Sequence, residues 1–271
     1  MDTQTVTVRL YGGLKDLVAW HQDGCVPEHP LSAKTSVKDL LEGLGVPHTE
    51  VDLILVNGQC VAFSHLVQAG DRVAAYPPFF SLPVPSEMRL TPPIHQPVRF
   101  VADVHLGRLA TLLRLFGFDV LWGNDADDEQ LAQVAVAGRR ILLTRDRGLL
   151  KRACVTHGLL VRSDWVEEQL AQVVGRYDLA LLAAPFSRCP RCNTPLVEAD
   201  PAQVRSMAPP RVQETVSSYR SCPSCGRLFW RGTHVARIER LFERVVSRAA
   251  QTRQLADSSF RAPKTRSHPV R

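Results

Sequence analysis

Residues 98–163 read VRFVADVHLGRLATLLRLFGFDVLWGNDADDEQLAQVAVAGRRILLTRDRGLLKRACVTHGLLVRS. Four apolar runs, VRFVA, FDVLW, RRILLT and GLLVRS, recur about every 20 residues, and a helical pattern follows each. Leu106, Leu109, Leu113 and Phe116 fall on one helical face, and Leu131, Val134 and Ala135 on the next. Strands alternating with helices at this spacing predict parallel strands joined by right-handed crossovers, an α/β sandwich.

Acidic residues gather where these strands end. Asp103 closes the first and Asp146 the third, in LLTRDRGLL, while Asn124-Asp125-Ala126-Asp127-Asp128-Glu129 follows the second and opens the next helix. In an open parallel sheet such ends share the edge where ligands bind. Carboxylates brought together there raise one another's pKa or recruit a cation. Hard oxygen ligands suit Mg²⁺ or Mn²⁺, ions that bridge phosphate oxygens in phosphodiester hydrolysis. The competing reading is local, because Asp is a preferred N-cap and each of these residues stands where a cap is expected. Asp164, after the fourth strand, lies in the capping-box context SDWVEEQL and reads as structural. Arg108 and Arg114 on the first helix, and Arg145 and Arg147 around Asp146, read as phosphate contacts or as solvated helix faces.

Toward the N-terminus the rhythm differs. Val6, Val8 and Leu10 alternate with Thr and Arg, as on a half-buried strand, and Ser36 precedes the helical stripe Val37, Leu40, Leu41 and Leu44. Val51 to Val56 runs into the hairpin signal Asn57-Gly58, Gln59 to Ala62 continues beyond it, and Asp71 to Tyr76 reads as a last strand. Two strands, a helix and two more strands predict a β-grasp domain over residues 1–80. This portion resembles the ubiquitin-like sulfur-carrier proteins of molybdopterin and thiamine synthesis, including its ending GDRVAAYPP. Those carriers finish in a free Gly-Gly, whereas this chain continues as PPFFSLPVP, so the domain reads as an interaction or docking module for a protein partner. Residues 81–97, rich in proline and without periodicity, read as a stiff linker.

Toward the C-terminus, Cys189-Pro-Arg-Cys192 and Cys222-Pro-Ser-Cys225-Gly226 form two CxxC pairs. Each such turn aims two thiolates at one point, and two turns complete a closed tetrahedral Cys₄ zinc site, structural rather than catalytic. The doubled motif disfavours a redox pair or disulfides. The span between the pairs, Asp200 to Tyr219, reads as an inserted loop or helix. Leu228, Phe229, Trp230, Arg231 and His234 follow; they suit base stacking and phosphate contact, or a packed strand of the ribbon itself. Cys25, Cys60 and Cys154 stand alone and read as small buried apolar residues. His105 and His157 have no partner in sequence and receive no role.

Charge is uneven along the chain. The formal net charge is +6, yet residues 226–271 carry 11 Lys+Arg against 3 Asp+Glu. A basic terminal segment attracts polyanions, nucleic acid above all, or serves as a solubilising tail. The last stretch, QTRQLADSSFRAPKTRSHPVR, has few large apolar groups and reads as disordered. Apolar residues make up 45% of the 271 and charged residues 22%, which excludes a wholly disordered chain, a collagen-like repeat and a disulfide scaffold. The longest uncharged apolar stretch, Leu179 to Phe186, is short for a membrane helix, and no secretory signal opens the chain. The expectation is a cytoplasmic protein.

The strings FVADVHLGRLATLLRLFGFDV, DADDEQLAQVAVAGRRILLTRDRGLLKRA and VRSDWVEEQL, with both cysteine pairs through FWRGTH, resemble in order the PIN-like RNase family named after the C-terminal domain of the mut-seven exonuclease. The resemblance covers about residues 98–240. It implies a PIN-type fold and metal-dependent RNase activity. Asp103 matches the first acidic position, Asp128 the acid heading the second helix, with Asp127 an adjacent candidate, and Asp146 the acid of the LTRD motif.

Together these readings predict a β-grasp domain (1–80), a linker (81–97), a PIN-like domain (98–186), a zinc ribbon (187–240) and a basic C-terminal helix and disordered tail (241–271). Asp103, Asp127, Asp128 and Asp146 would hold Mg²⁺ or Mn²⁺ for RNA hydrolysis, Cys189, Cys192, Cys222 and Cys225 would hold Zn²⁺, and Arg108, Arg114, Arg145 and Arg231 would contact RNA. The alternative is a non-catalytic RNA-binding or adaptor protein that uses the ribbon and tail.

Overall fold

The computed structural model describes residues 4–19, 27–31, 34–78 and 84–258. The chain divides into two compact units, residues 1–90 with 251–271, and Thr91–Ala250.

In the first unit the strands are β1 (Thr5–Leu10), β2 (Glu28–Pro30), β3 (Leu53–Val56), β4 (Gln59–Cys60) and β5 (Arg72–Tyr76), with helix α1 (Val37–Gly43) between β2 and β3. The sheet order is β2-β1-β5-β3-β4, with β1 and β5 parallel and the other pairs antiparallel, which is the β-grasp arrangement. The alternation in β1 buries Val6, Val8 and Leu10, and Val37 and Leu41 of α1 are buried as well. Ser36 Oγ accepts the Asp39 N–H at 3.1 Å and so caps α1, as its sequence position predicts. Asn57 and Gly58 both take positive φ, 51° and 86°, the geometry a two-residue hairpin requires. Residues assigned to the linker are partly fastened to this unit. The Leu90 N–H donates to Asp52 O at 2.8 Å, and Arg89 pairs with the buried Asp52 carboxylate at 2.5 Å. The boundary between the units thus falls after Leu90.

The second unit begins with β6 (Arg99–Ala102), α2 (Gly107–Leu115), β7 (Asp119–Trp122), α3 (Asp128–Ala137), β8 (Ile141–Thr144), the one-turn helix α4 (Arg147–Leu150), β9 (Gly158–Leu160) and α5 (Val166–Tyr177). All strand pairs are parallel, in the order β7-β6-β8-β9. The chain steps from β6 outward to β7, then crosses back to place β8 on the other side of β6. Successive crossovers diverge between β6 and β8, the switch point where open parallel sheets leave a crevice. Leu106, Leu109, Leu113 and Phe116 join the core with Phe100, Leu143, Leu170 and Val174. On α3 the buried positions are Leu131, Ala132 and Ala135, whereas Val134, assigned to the stripe, is 37% exposed.

The cysteine-bearing segment belongs to this same unit. It comprises β10 (Val197–Glu198), α6 (Pro201–Met207), α7 (Pro210–Thr215), β11 (Tyr219–Ser221) and β12 (Leu228–Trp230), with the strands ordered β10-β11-β12. The span between the cysteine pairs is therefore largely helical. Helix α8 (Thr233–Ser258) follows. Ile238, Leu241, Phe242, Val245, Val246 and Ala249 recur at helical spacing and pack on the core of the parallel sheet. The disorder expected from residue 251 is thus corrected, because the helix runs on through Ser258; residues 259–271 lie outside those described. Cys60 and Cys154 are exposed, contrary to the buried positions expected of them, and Cys25 lies outside the described residues. No described helix is long and apolar enough to cross a membrane.

Candidate active site and cysteine cluster

Two acids stand at the switch point, linked through one threonine. Asp103 follows β6, is 6% exposed, and accepts three hydrogen bonds: from His105 N at 2.7 Å, Thr144 Oγ1 at 2.5 Å and Arg145 N at 3.1 Å. Thr144, the last residue of β8, in turn accepts the Asp146 N–H through Oγ1 at 2.9 Å. Asp146 is exposed and caps α4 through a 2.6 Å bond from Gly148 N to Oδ1. The C-terminal ends of β6 and β8 are therefore tied into one polar unit by Thr144. Sequence reading passed over this residue, although its place between the apolar run and Asp146 is the signal for it.

The loop that carries Asp103 is held from outside. Trp122 Nε1 donates to Val104 O at 3.3 Å, and its ring lies flush on the α2 N-terminus, where a Cβ at Gly107 would stand 2.6 Å from Trp122 Cζ2.

The other acids behave differently. Asp127 is the N-cap of α3, in a capping box with Gln130 at 2.8 and 3.3 Å, and Asp128 is the first helical residue; both are exposed. Among the described residues, no carboxylates form a group of three or more with ligand atoms close together, so the structure does not draw Asp127 and Asp128 into one cluster with Asp103 and Asp146. Asp164 does not cap α5 as its motif suggests. The N-cap is Trp165, without a side-chain cap bond; Ser163 accepts Trp165 N at 3.0 Å and donates to Glu168 at 2.7 Å, while Asp164 pairs with Arg145 at 2.6 Å. Trp165, beside it, is 74% exposed.

Of the arginines assigned to RNA, Arg108 and Arg231 are exposed and Arg145 is half committed to Asp164. Arg114 is corrected. It is 5% exposed, and its guanidinium bonds Val120 O at 3.0 Å, Pro190 O at 3.3 Å and Arg191 O at 2.9 Å. Burial lowers its pKa, and the thiols of Cys189 and Cys192 act in the opposite sense. It joins the first cysteine turn to edge strand β7 and is closed to RNA. Asn193 completes the joint: its side chain accepts Val120 N at 3.1 Å and donates to Asp119 at 2.8 Å, and Asp119 also takes Arg140 at 2.7 Å. Side chains thus satisfy both backbone groups of Val120 on an open sheet edge.

The four cysteines do converge. Their Sγ atoms all lie within 4.8 Å of one another, with Cys189–Cys225 at 3.8 Å and Cys192–Cys222 at 3.3 Å. Tetrahedral zinc with Zn–S near 2.3 Å places its sulfurs about 3.8 Å apart, so the donor set could hold a metal such as zinc. The two turns are built alike. Asn193 N and Gly226 N bond the carbonyls of Cys189 and Cys222, and the residue after each second cysteine takes positive φ, 65° for Asn193 and 69° for Gly226. Those are the residue types that tolerate this conformation. Burial pushes the Cys189 thiol up to about 12; at Cys192 burial acts the same way but hydrogen bonds from Cys222 and Thr194 bring it down to about 6. Metal binding would displace the remaining thiol protons.

The family described as the Mut7-C RNase domain matches residues 98–242, more than half of the chain. This chain belongs to the Mut7-C RNase family. The Mut7-C match spans the parallel sheet, the cysteine segment and the start of α8, and the family's ubiquitin-like partner domain, described as Mut7-C ubiquitin, matches residues 3–82. Among solved structures, the small archaeal modifier protein 1 of H. volcanii is 19% identical over 27% of this chain and 97% of its own, with a TM-score of 0.23. No curated protein matches.

Proposed function

We propose that this Mut7-C chain is a metal-dependent ribonuclease acting at the C-terminal edge of its parallel sheet. The observation that carries the reading is the linked pair Asp103 and Asp146 at the switch point, joined through Thr144. Asp103 and Asp146 would hold Mg²⁺ or Mn²⁺, since such ions are bound by one or two carboxylates together with substrate phosphates and waters. The bound ion would supply a nucleophilic water and charge stabilisation for phosphodiester hydrolysis. Asp103 is oriented by its three donors and keeps about one of its roughly four acceptor directions open. The Arg145 guanidinium, drawn off by Asp164, stands ready for exchange onto a phosphate. Exposed Trp165 on the same edge suits an unpaired base, which favours single-stranded RNA. Asp127 and Asp128 stay outside this pair and serve α3. The cysteine cluster, with four thiolates filling its coordination shell, would hold structural zinc, and the protein is assigned to the cytoplasm.

A second reading has one observation in its favour: Asp103, Asp127 and Asp146 each cap a helix turn. In it the acids are structural, and the ribbon with α8 binds RNA without cleaving it. Mn²⁺ binding separates the two. The ribonuclease reading expects wild type to bind Mn²⁺ and Asp146→Asn, which keeps a capping side chain, to lose that binding. Equal Mn²⁺ affinity in both proteins would leave the non-catalytic reading in possession.

A further inference from the structure

The opposite edge of the same sheet carries a cavity of about 290 Å³, lined in part by His95, Val136, Arg139, Arg140, Thr156 and His157. Arg139 and Arg140 precede β8, and Thr156 and His157 precede β9, so the cavity lies at the N-terminal ends of the strands. Along β8 it is about 16 Å from Arg145 and Asp146. Four of its lining side chains are cations or become so on protonation, and none is a carboxylate. Arg140 is engaged from behind by Asp119 and Phe100 O. Among the described residues no ion pair engages Arg139, His95 or His157. Burial, and after it His95 and Arg176, lower the His157 pKa, as expected of an imidazole in a positive field without a counter-anion.

The backbone at Arg139 adds an independent sign. Helix α3 ends in a Schellman motif, with Arg140 N bonded to Ala135 O at 2.8 Å and Arg139 N to Val136 O at 3.1 Å. The residue in the left-handed position of this motif is commonly glycine, yet here it is Arg139 at φ 48°. An arginine held there costs conformational energy, and this exposed arginine is one of the residues that line the cavity.

We infer that this cavity is a binding site for a phosphate group, free or at the end of a nucleotide chain, held by Arg139 with the imidazoles of His95 and His157. A guanidinium and imidazole N–H groups are donors that match phosphate oxygens, and no carboxylate in the lining competes with the anion. The site is separate from the acidic edge and does not rest on the ribonuclease reading.

Calorimetric titration of the full chain, without added divalent metal, tests it with inorganic phosphate, AMP, adenosine, and one oligonucleotide carrying either a 5′-phosphate or a 5′-hydroxyl. Phosphate and AMP should bind and adenosine should not. Tighter binding of the 5′-phosphate oligonucleotide than of AMP names a nucleic-acid end as the source, and the reverse names a free nucleotide. Arg139→Gly should weaken AMP by about tenfold, the loss of one charge-assisted contact. Its melting temperature should hold or rise, since glycine suits that φ. Failure of wild type to bind phosphate or AMP at millimolar concentration overturns the inference, as does equal binding by Arg139→Gly.

Discussion

The cysteine cluster and the carboxylate edge are both built from turns that present ligand atoms, but the two differ in what those atoms already do. The four Sγ atoms lie within 4.8 Å of one another, and the Asn193 and Gly226 N–H groups that close the two turns go to carbonyls, not to sulfur. At the carboxylate edge the turns are capped by the ligand atoms themselves: Asp103 takes three protein donors and Asp146 takes Gly148 N. The first site draws all four of its ligand atoms from the chain itself. At the second, the fold already uses part of the acceptor capacity: Asp103 is buried with three donors, and Asp146 is exposed with one. In the proposed function the closed donor set serves stability and the incomplete one at the strand edge serves chemistry.

Breaking the closed site should have the largest effect. Cys222→Ser should lose zinc and melt residues 187–235, since structural zinc contributes on the order of 10 kcal/mol to small ribbon folds. Metal analysis with thermal denaturation checks this, and full zinc retention would contradict it. Next comes the joint between the first cysteine turn and β7. Arg114→Ala leaves the carbonyls of Val120, Pro190 and Arg191 without their buried donor and should cost about 3 kcal/mol in denaturant unfolding. Gly107→Ala drives a Cβ into the Trp122 ring and should cost about 2 kcal/mol, with loss of activity beyond the loss of folded protein if the Asp103 loop shifts. The smallest effect tests the docking charge. At Asp119, burial raises the pKa, but Arg140 and Asn193 outweigh it, and the carboxyl lies below its ordinary value. A depressed folded-state pKa gives stability that is present above the unfolded carboxylate pKa, near pH 4, and lost as pH falls through the folded value. The stability gap between wild type and Asp119→Asn should therefore be full at neutral pH and shrink on acidification through that window.

Much of this contrast was legible in the sequence, and for physical reasons. Periodicity is strong where apolar faces must be buried, so the runs beginning at Val98 predicted the parallel sheet, and Ser36 and Asn57-Gly58 marked a cap and a hairpin that the structure contains. The CxxC spacing is local geometry, so the cysteines could be assigned from the chain alone. Long-range partnerships were not legible. Arg114 lies among apolar helix positions and looks like any exposed cation until β7 and the first cysteine turn close over it. Asn193 follows Cys192 without advertising that it spans to Asp119. Asp127 and Asp128 share the strand-end position of Asp103, and only the three-dimensional path of the capping turn keeps them out of the switch-point pair. The tail beyond residue 250 looked polar because its helix shows the core a single stripe, whose last apolar contact among the described residues is Ala249.

The central claim is that the carboxylate edge, and not the cysteine cluster, performs chemistry. Mn²⁺-dependent cleavage of end-labelled single-stranded RNA by zinc-loaded wild type, Asp103→Asn and Asp146→Asn tests it most directly. The expected result is cleavage by wild type and a loss of about a hundredfold or more in both variants, with zinc content retained in each and the melting temperature of Asp146→Asn unchanged. Cleavage by Asp146→Asn at the wild-type rate, or none by any of the three, would contradict it.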